Sequence, residues 1–263
     1  MDGRGKVALV TGSTSGIGLA IALALAKRGC DIIATGLERA EDPDVDAIKS
    51  HISSFNVRVE YISGDLSVLS DIERLCEESK KKFPQGVDIL VNNAGFNVVR
   101  LVEDVPDDAW DSMVAVMLTA PFRLVKRLVS RMKTKGWGRI INVCSQMAVT
   151  SSPGKSVYSA CKTGLVGFTR GVALEAAEFG VTCNAVSPTF TETAIMRQQI
   201  GDKAKTLGVS YETARKTFTD QVPTRKMCTV EQIADLVVFL TLSEASSQIN
   251  GAEYLIDGGY VAQ

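Results

Sequence analysis

The feature that most restricts the fold is a rhythm in which short, uninterrupted apolar runs alternate with longer stretches of helical period. Val7–Thr11, Asp31–Thr35, Val57–Ser63, Val87–Val91, Gly138–Val143, Val181–Val186 and Ala252–Ile256 read as strands. Strands that are apolar without alternation are buried on both faces, and the helices between them supply the parallel crossovers. Those helices are expected at Gly16–Arg28, Asp71–Phe83, Asp107–Lys133 and Ser156–Phe179, with a polar one between the second and third strands. The predicted architecture is α/β, a Rossmann-like doubly wound parallel sheet of seven strands. Thr193–Thr229 breaks the rhythm: it is polar, helical in pattern and strandless, and reads as a helical flap inserted over the strand ends. No Pro/Gly/Ser-rich linker or internal repeat divides the 263 residues, so one domain over 1–263 is expected.

Between the first strand and the first helix lies Thr11-Gly12-Ser13-Thr14-Ser15-Gly16-Ile17-Gly18. Glycines there permit a tight turn and let backbone approach a pyrophosphate, which the free N–H groups and partial positive charge of a helix N-terminus would hold. Glycines also mark ordinary strand-to-helix turns, but this loop's place at the first strand-to-helix junction favours phosphate binding. A second constellation stands in the last long helix, where Tyr158 and Lys162 share one face at a spacing of four residues. A neutral phenol is a poor base, and a neighbouring ammonium stabilises the phenolate that takes up an alcohol's proton. Ser145, thirteen residues before Tyr158, follows the fifth strand and is placed to hydrogen-bond a substrate oxygen. A Tyr and a Lys at this spacing also form ordinary surface pairs; the glycine loop and Ser145 are what lift this pair above that reading.

The bulk properties narrow the partners. A net charge of −1 makes no field that would recruit nucleic acid or an anionic membrane. The six cysteines include no CxxC pair, and the one histidine, His51, cannot build a His-rich metal site. Residues Met1–Lys6 lack the parts of a signal peptide, and no apolar run approaches the roughly 20 residues of a membrane span. The expectation is a reduced cytoplasmic protein with a small-molecule hydroxy or keto substrate, no metal, no membrane and no nucleic acid.

The spacing T-G-x-x-x-G-x-G, together with Tyr158-Ser-Ala-Cys-Lys162 and Asn92-Asn93-Ala94-Gly95, resembles the short-chain dehydrogenase/reductase family over nearly the whole chain. The resemblance implies hydride transfer with a nicotinamide dinucleotide, Ser145, Tyr158 and Lys162 being the catalytic set and Tyr158 and Lys162 also touching the cofactor. It implies cofactor contacts from Gly12, Ser13, Thr14, Ser15, Gly16, Ile17 and Gly18, and adenine contacts from Asp65 with Leu66. It also implies Asn93, Ala94 and Gly95 beside the ribose, and Pro188 and Thr193 at the nicotinamide amide, with Thr189 in place of the family's glycine. At the end of the second strand, where an acid grips the ribose of NAD, stands Leu37, neither acid nor cation. NAD is expected, with NADP kept open by Arg39. Met117 occupies the position of an asparagine that in many members holds a water behind the lysine; a thioether packs there instead, or alters the enzyme.

Within the family, Gly12–Leu19, Gly154-Lys155, Val181–Ala185 and the tail Asp257–Gln263 resemble the bacterial 3-hydroxybutyrate dehydrogenase branch. There the lysine matching Lys155 grips the substrate carboxylate. Asn97, Met147 and Arg197 replace a glutamine, a histidine and a second glutamine, and Phe190 completes the candidate substrate contacts. Lys155 and Arg197 read equally as solvated charges. A 3-hydroxy acid, a sugar, polyol or ketoacyl substrate, and a non-catalytic dinucleotide binder are the readings the residues leave open. The resemblance further implies a homotetramer built on the two long helices.

Overall fold

The computed structural model describes residues 1–263. Seven strands form one parallel sheet in the order β3-β2-β1-β4-β5-β6-β7. They are β1 (Val7–Thr11), β2 (Asp31–Thr35), β3 (Val59–Tyr61), β4 (Ile89–Asn92), β5 (Gly138–Val143), β6 (Val181–Pro188) and β7 (Glu253–Ile256). The helices are α1 (Gly16–Lys27), α2 (Pro43–Ser53), α3 (Leu69–Lys82), α4 (Asp107–Val114), α5 (Ala120–Lys135), α6 (Ser156–Ala176), α7 (Ala194–Leu207), α8 (Tyr211–Thr219) and α9 (Val230–Leu242).

The apolar runs fold as a parallel sheet because each presents side chains to both faces, and both faces are filled. One core of 21 buried residues joins α1 and α9 to alternate positions of β1, β2, β4 and β5. A second of 20, on the other face, takes the intervening positions with α3, α5 and α6. At about 25 cal/mol per Å² of apolar surface removed from water, these two layers supply the main driving force for the fold. Strand order reverses between β1 and β4, and a doubly wound sheet opens its binding crevice at that point, beyond the carboxyl ends of the strands.

Three departures from the sequence expectations have local causes. The third strand is only Val59–Tyr61 because it is the sheet's edge and has a neighbour, β2, on one side alone. The expected helix Asp107–Lys133 is interrupted: Ala115–Thr119 forms a π turn, with Ala120 N–H donating to Ala115 O, between α4 and α5. The flap Thr193–Thr229 resolves into α7 and α8, and it is followed by α9, which the rhythm of the sequence did not isolate. A capping box announces α9: Thr229 Oγ1 accepts from Gln232 N at 3.2 Å and Gln232 Oε1 accepts from Thr229 N at 3.0 Å.

All six cysteines are free, and burial pushes the thiols of Cys30 and Cys144 up to about 12. No helix is long and apolar enough to cross a membrane, and no group of three or more His, Cys, Asp or Glu side chains is placed to hold a metal ion.

Candidate active site

The candidate residues gather where β1, β4, β5 and β6 end. The loop after β1 turns through left-handed backbone at Gly12 (φ 61°) and Gly16 (φ 53°). A Cβ on Gly18 would run into the Gly12 carbonyl and Asn93 Nδ2, so only glycine fits. The segment Asn93–Gly95 is laced to this loop. Thr11 Oγ1 accepts from Asn93 N at 2.9 Å and Ala94 N at 3.0 Å, while Asn93 Nδ2 donates to Thr11 O at 2.9 Å and Gly12 O at 3.1 Å.

Helix α1 begins with its donors free. Ser15 makes no side-chain cap and no acid stands in the first turn, so the N–H groups of Gly16, Ile17 and Gly18 are open to an anion such as a pyrophosphate. Thr193 caps α7, accepting from Met196 N at 3.2 Å, and its methyl lies 3.5 Å from where a Cβ on Gly16 would sit. Pro188, expected with Thr193 at the nicotinamide amide, is the last residue of β6. The Ser13 side chain is spent elsewhere: Thr35 N donates to it at 3.0 Å. Asp65 Oδ1 accepts from both Ser67 N and Ser67 Oγ, at 2.8 and 2.7 Å, and Leu66 beside it is buried.

Leu37 is 74% exposed. The acid that the end of β2 offers is instead Glu38, one residue on, whose Oε2 turns back beside Gly36 and Thr14 of the glycine loop. The Tyr61 hydroxyl donates to Glu38 O at 2.8 Å. The sequence expectation passed over Glu38 because the direction of a side chain just after a strand depends on the turn at Gly36.

Lys162 is 4% exposed. Its Nζ donates to Val143 O at 2.8 Å and stands 5.6 Å from the Tyr158 ring centre. An ammonium has three donors, so this buried cation spends one on β5 and keeps two. Ser145 Oγ accepts from Met147 N at 3.2 Å, which leaves the hydroxyl's own proton to donate. Tyr158 is half-buried against a small cluster of Met113, Met117, Val157 and Cys161. Met117 is thus a packing residue: 1% exposed, on the π turn, with Sδ 3.1 Å from where a Cβ on Gly95 would sit. Helix α6 is held to the sheet by a buried polar chain in which Asn92 Nδ2 donates to Asn142 Oδ1 and Asn142 Nδ2 to Thr169 Oγ1, both at 2.8 Å.

Lys155 is the N-cap residue of α6, half-buried, with no carboxylate partner. Burial holds its pKa below the ordinary lysine value. Asn97 Oδ1, Gln146 Oε1 and Thr189 Oγ1 are buried without hydrogen-bond partners. These residues follow β4, β5 and β6 in turn. Unpaired buried polar atoms are rare, and three at the ends of adjacent strands fit a bound cofactor and substrate. Met147 is buried next to Gln146. Phe190 meets Phe218 and Tyr260 edge-to-face, at 5.3 and 5.9 Å, tying α8 and the C-terminal tail to the end of β6. Arg197 is exposed on α7 and lines a hollow of about 190 Å³ with Glu192, Tyr211 and Arg215, a lining that includes neither Lys155 nor Tyr158.

A family model described as short chain dehydrogenase matches residues 6–204. The D-beta-hydroxybutyrate dehydrogenase of Cupriavidus necator is 42% identical, over 99% of each chain. That of Rhizobium meliloti is 40% identical, over 98% of this chain and 99% of its own. The structure of L-sorbose reductase from Gluconobacter frateurii, complexed with NADPH and L-sorbose, superposes with a TM-score of 0.94 at 29% identity, covering 100% of this chain and 99% of that one.

Proposed function

This chain belongs to the short chain dehydrogenase family, and on that premise we propose that it oxidises a small 3-hydroxy acid, (R)-3-hydroxybutyrate first among them, with NAD. That it is an oxidoreductase using a nicotinamide dinucleotide follows from membership. The observation that carries the finer reading is Lys155, a half-buried ammonium with no carboxylate of its own, three residues before Tyr158. A desolvated cation without a partner is costly, and a substrate carboxylate would offset that cost. The two hydroxybutyrate dehydrogenases at 42% and 40% identity support the same substrate class.

The dinucleotide, when bound, supplies the acceptor or donor of the hydride. The open N–H groups of Gly16–Gly18 hold its pyrophosphate, and the Glu38 carboxylate takes the adenosine ribose hydroxyls, which favours NAD because a 2′-phosphate there would face a like charge. Ser145 donates its free hydroxyl proton to the substrate oxygen and holds it against Tyr158. Tyr158 takes the alcohol proton as hydride leaves. Lys162 keeps positive charge beside the Tyr158 phenolate and offers its two remaining donors to the nicotinamide ribose. Lys155 anchors the acid group, with Asn97, Met147 and Phe190 around the remainder.

A sugar or polyol reductase is the second reading, favoured by the likeness to L-sorbose reductase and by the neutral, unpartnered Asn97 and Gln146. Following reduced-nicotinamide absorbance with NAD or NADP, and (R)-3-hydroxybutyrate beside neutral polyols, separates the two. Rapid NAD-dependent turnover of the acid is expected; turnover of polyols alone would overturn the hydroxy-acid reading. The same premise carries a cytoplasmic homotetramer, supported by exposed Trp110, Phe122 and Leu174 on α4, α5 and α6, with sedimentation as its check.

A further inference from the structure

At the other end of the sheet, where β5 and β6 begin, lies a polar hollow of about 350 Å³ lined in part by Trp137, Arg139, Thr182, Ser247 and Gln248. Arg139 and Ser145 are six residues apart along extended chain, so this hollow is roughly 20 Å from the candidate active site. Arg139 is 5% exposed. Its Nη1 donates to Gly138 O at 2.8 Å and to Gly180 O at 3.1 Å, and these are its only acceptors. Nε has no partner, and Nη2, which shares that edge of the guanidinium, donates to nothing.

Thr182 is paired with Arg139 in the β5–β6 register, so the two side chains rise side by side from one face of the sheet. Thr182 is 4% exposed, and its hydroxyl is buried and unpartnered too. The Trp137 ring lies 4.6 Å from the Arg139 guanidinium carbon and 3.9 Å from Lys6 Nζ, so two cations stand against the ring that lines the hollow. Burial pushes the Arg139 pKa below its ordinary value, though a guanidinium stays charged. A buried cation with one edge unused, beside a hydroxyl with nothing to bond, is a fork waiting for an oxyanion.

We propose that this hollow is a carboxylate site. One small carboxylate sets its two oxygens on the Nε–Nη2 edge of Arg139, the planar geometry that guanidinium and carboxylate share, and accepts a further hydrogen bond from the Thr182 hydroxyl. It is separate from the hydride-transfer site and does not depend on Lys155.

The test reads Trp137 emission in a Trp110→Phe background, which leaves one of the chain's two tryptophans. Acetate is titrated at constant ionic strength against chloride, in the otherwise unaltered protein, in Thr182→Val and in Lys155→Ala. A saturable response to acetate is expected, absent with chloride, unchanged in Lys155→Ala and weakened about tenfold in Thr182→Val, the loss of one bond to a charged group. Thr182→Val should melt no lower than its parent, because it removes a hydroxyl that has no partner. No saturable response, equal affinity in Thr182→Val, loss of the response in Lys155→Ala, or tighter binding of inorganic phosphate than of acetate would each overturn the proposal.

Discussion

The glycine loop and the flap lie over the same strand ends but are held by different means. The loop is fastened by buried bonds from Thr11, Ser13 and Asn93 to neighbouring strands, and Gly18 has no room for a Cβ. The flap has a core of its own, five buried residues (Met196, Ile200, Ala204, Ala214 and Met227) apart from the two large cores. Its outer tie is a 2.6 Å ion pair between Arg215 and Glu192, both over a third exposed. On the proposed function the loop meets the same pyrophosphate in every turnover, so a preorganised cradle costs nothing in versatility. A flap with few buried contacts opens locally at low free energy, which suits a cover that must admit substrate and release product.

The comparison can be broken at several points. The largest effect is expected at the chemistry between the two regions: Tyr158→Phe should lower kcat about a thousandfold, within the range of general acid–base catalysis. Cofactor affinity, measured by fluorescence titration, should stay within about twofold, since the hydroxyl contributes no anchor to the loop. Comparable turnover in that variant would refute the proton-transfer role.

The rigid side is broken by Gly18→Ala. Its added methyl meets the Gly12 carbonyl and Asn93, and overpacking of this kind costs up to about 3 kcal/mol. Dinucleotide affinity should fall by two orders of magnitude at the upper end of that cost, while the flap's response to substrate is untouched. Calorimetric titration of NAD checks it.

The substrate side is sharpened by Lys155→Ala, which should raise KM for hydroxy acids roughly thirtyfold (about 2 kcal/mol for a bond to a charge) and leave neutral alcohols alone. Because burial lowers the Lys155 pKa, the anchoring charge is present at low pH and lost as pH rises through that lowered value. KM for the acid substrate should therefore climb at a pH below the ordinary lysine range. A pH profile that is flat there, or unchanged by the substitution, would contradict the role.

The smallest effect belongs to the flap's outer tie. Glu192→Gln should change overall stability by less than about 1 kcal/mol, as exposed pairs do, and the change should shrink with added salt. A larger loss in thermal melts would mean the flap is as firmly held as the loop.

The loop was legible in the sequence because its constraints are local: Gly12, Gly16 and Gly18 are needed by a turn of a few residues. The strands were legible because both-sided burial leaves continuous apolar runs in the text itself. The π turn at Ala115–Thr119 was not, since the residues Ala-Val-Met-Leu-Thr suit an α-helix equally well. Helix α9 was missed because its second half, Leu236–Leu242, is apolar but for Thr241; it packs beside α1 on the same face of the sheet and carries no polar stripe to mark its period. Glu38 was missed for want of one torsion. The surroundings of Lys155 depend on the meeting of Gly154 with Val99 and Arg100, more than fifty positions away in the chain, which no spacing rule reports.

The strand order also sets a timetable. As the chain leaves the ribosome, β1 can pair with β2 within a few dozen residues, but its other edge belongs to β4. Val7 N–H finds its acceptor, the buried Asp88 carboxylate, 81 residues later. Until then the most apolar strand of the molecule has one open side, and an open strand edge is a template for any chain nearby. The central place of β1, which puts the glycine loop at the switch point, thus leaves the newborn polypeptide with a long interval in which it must be shielded from its neighbours.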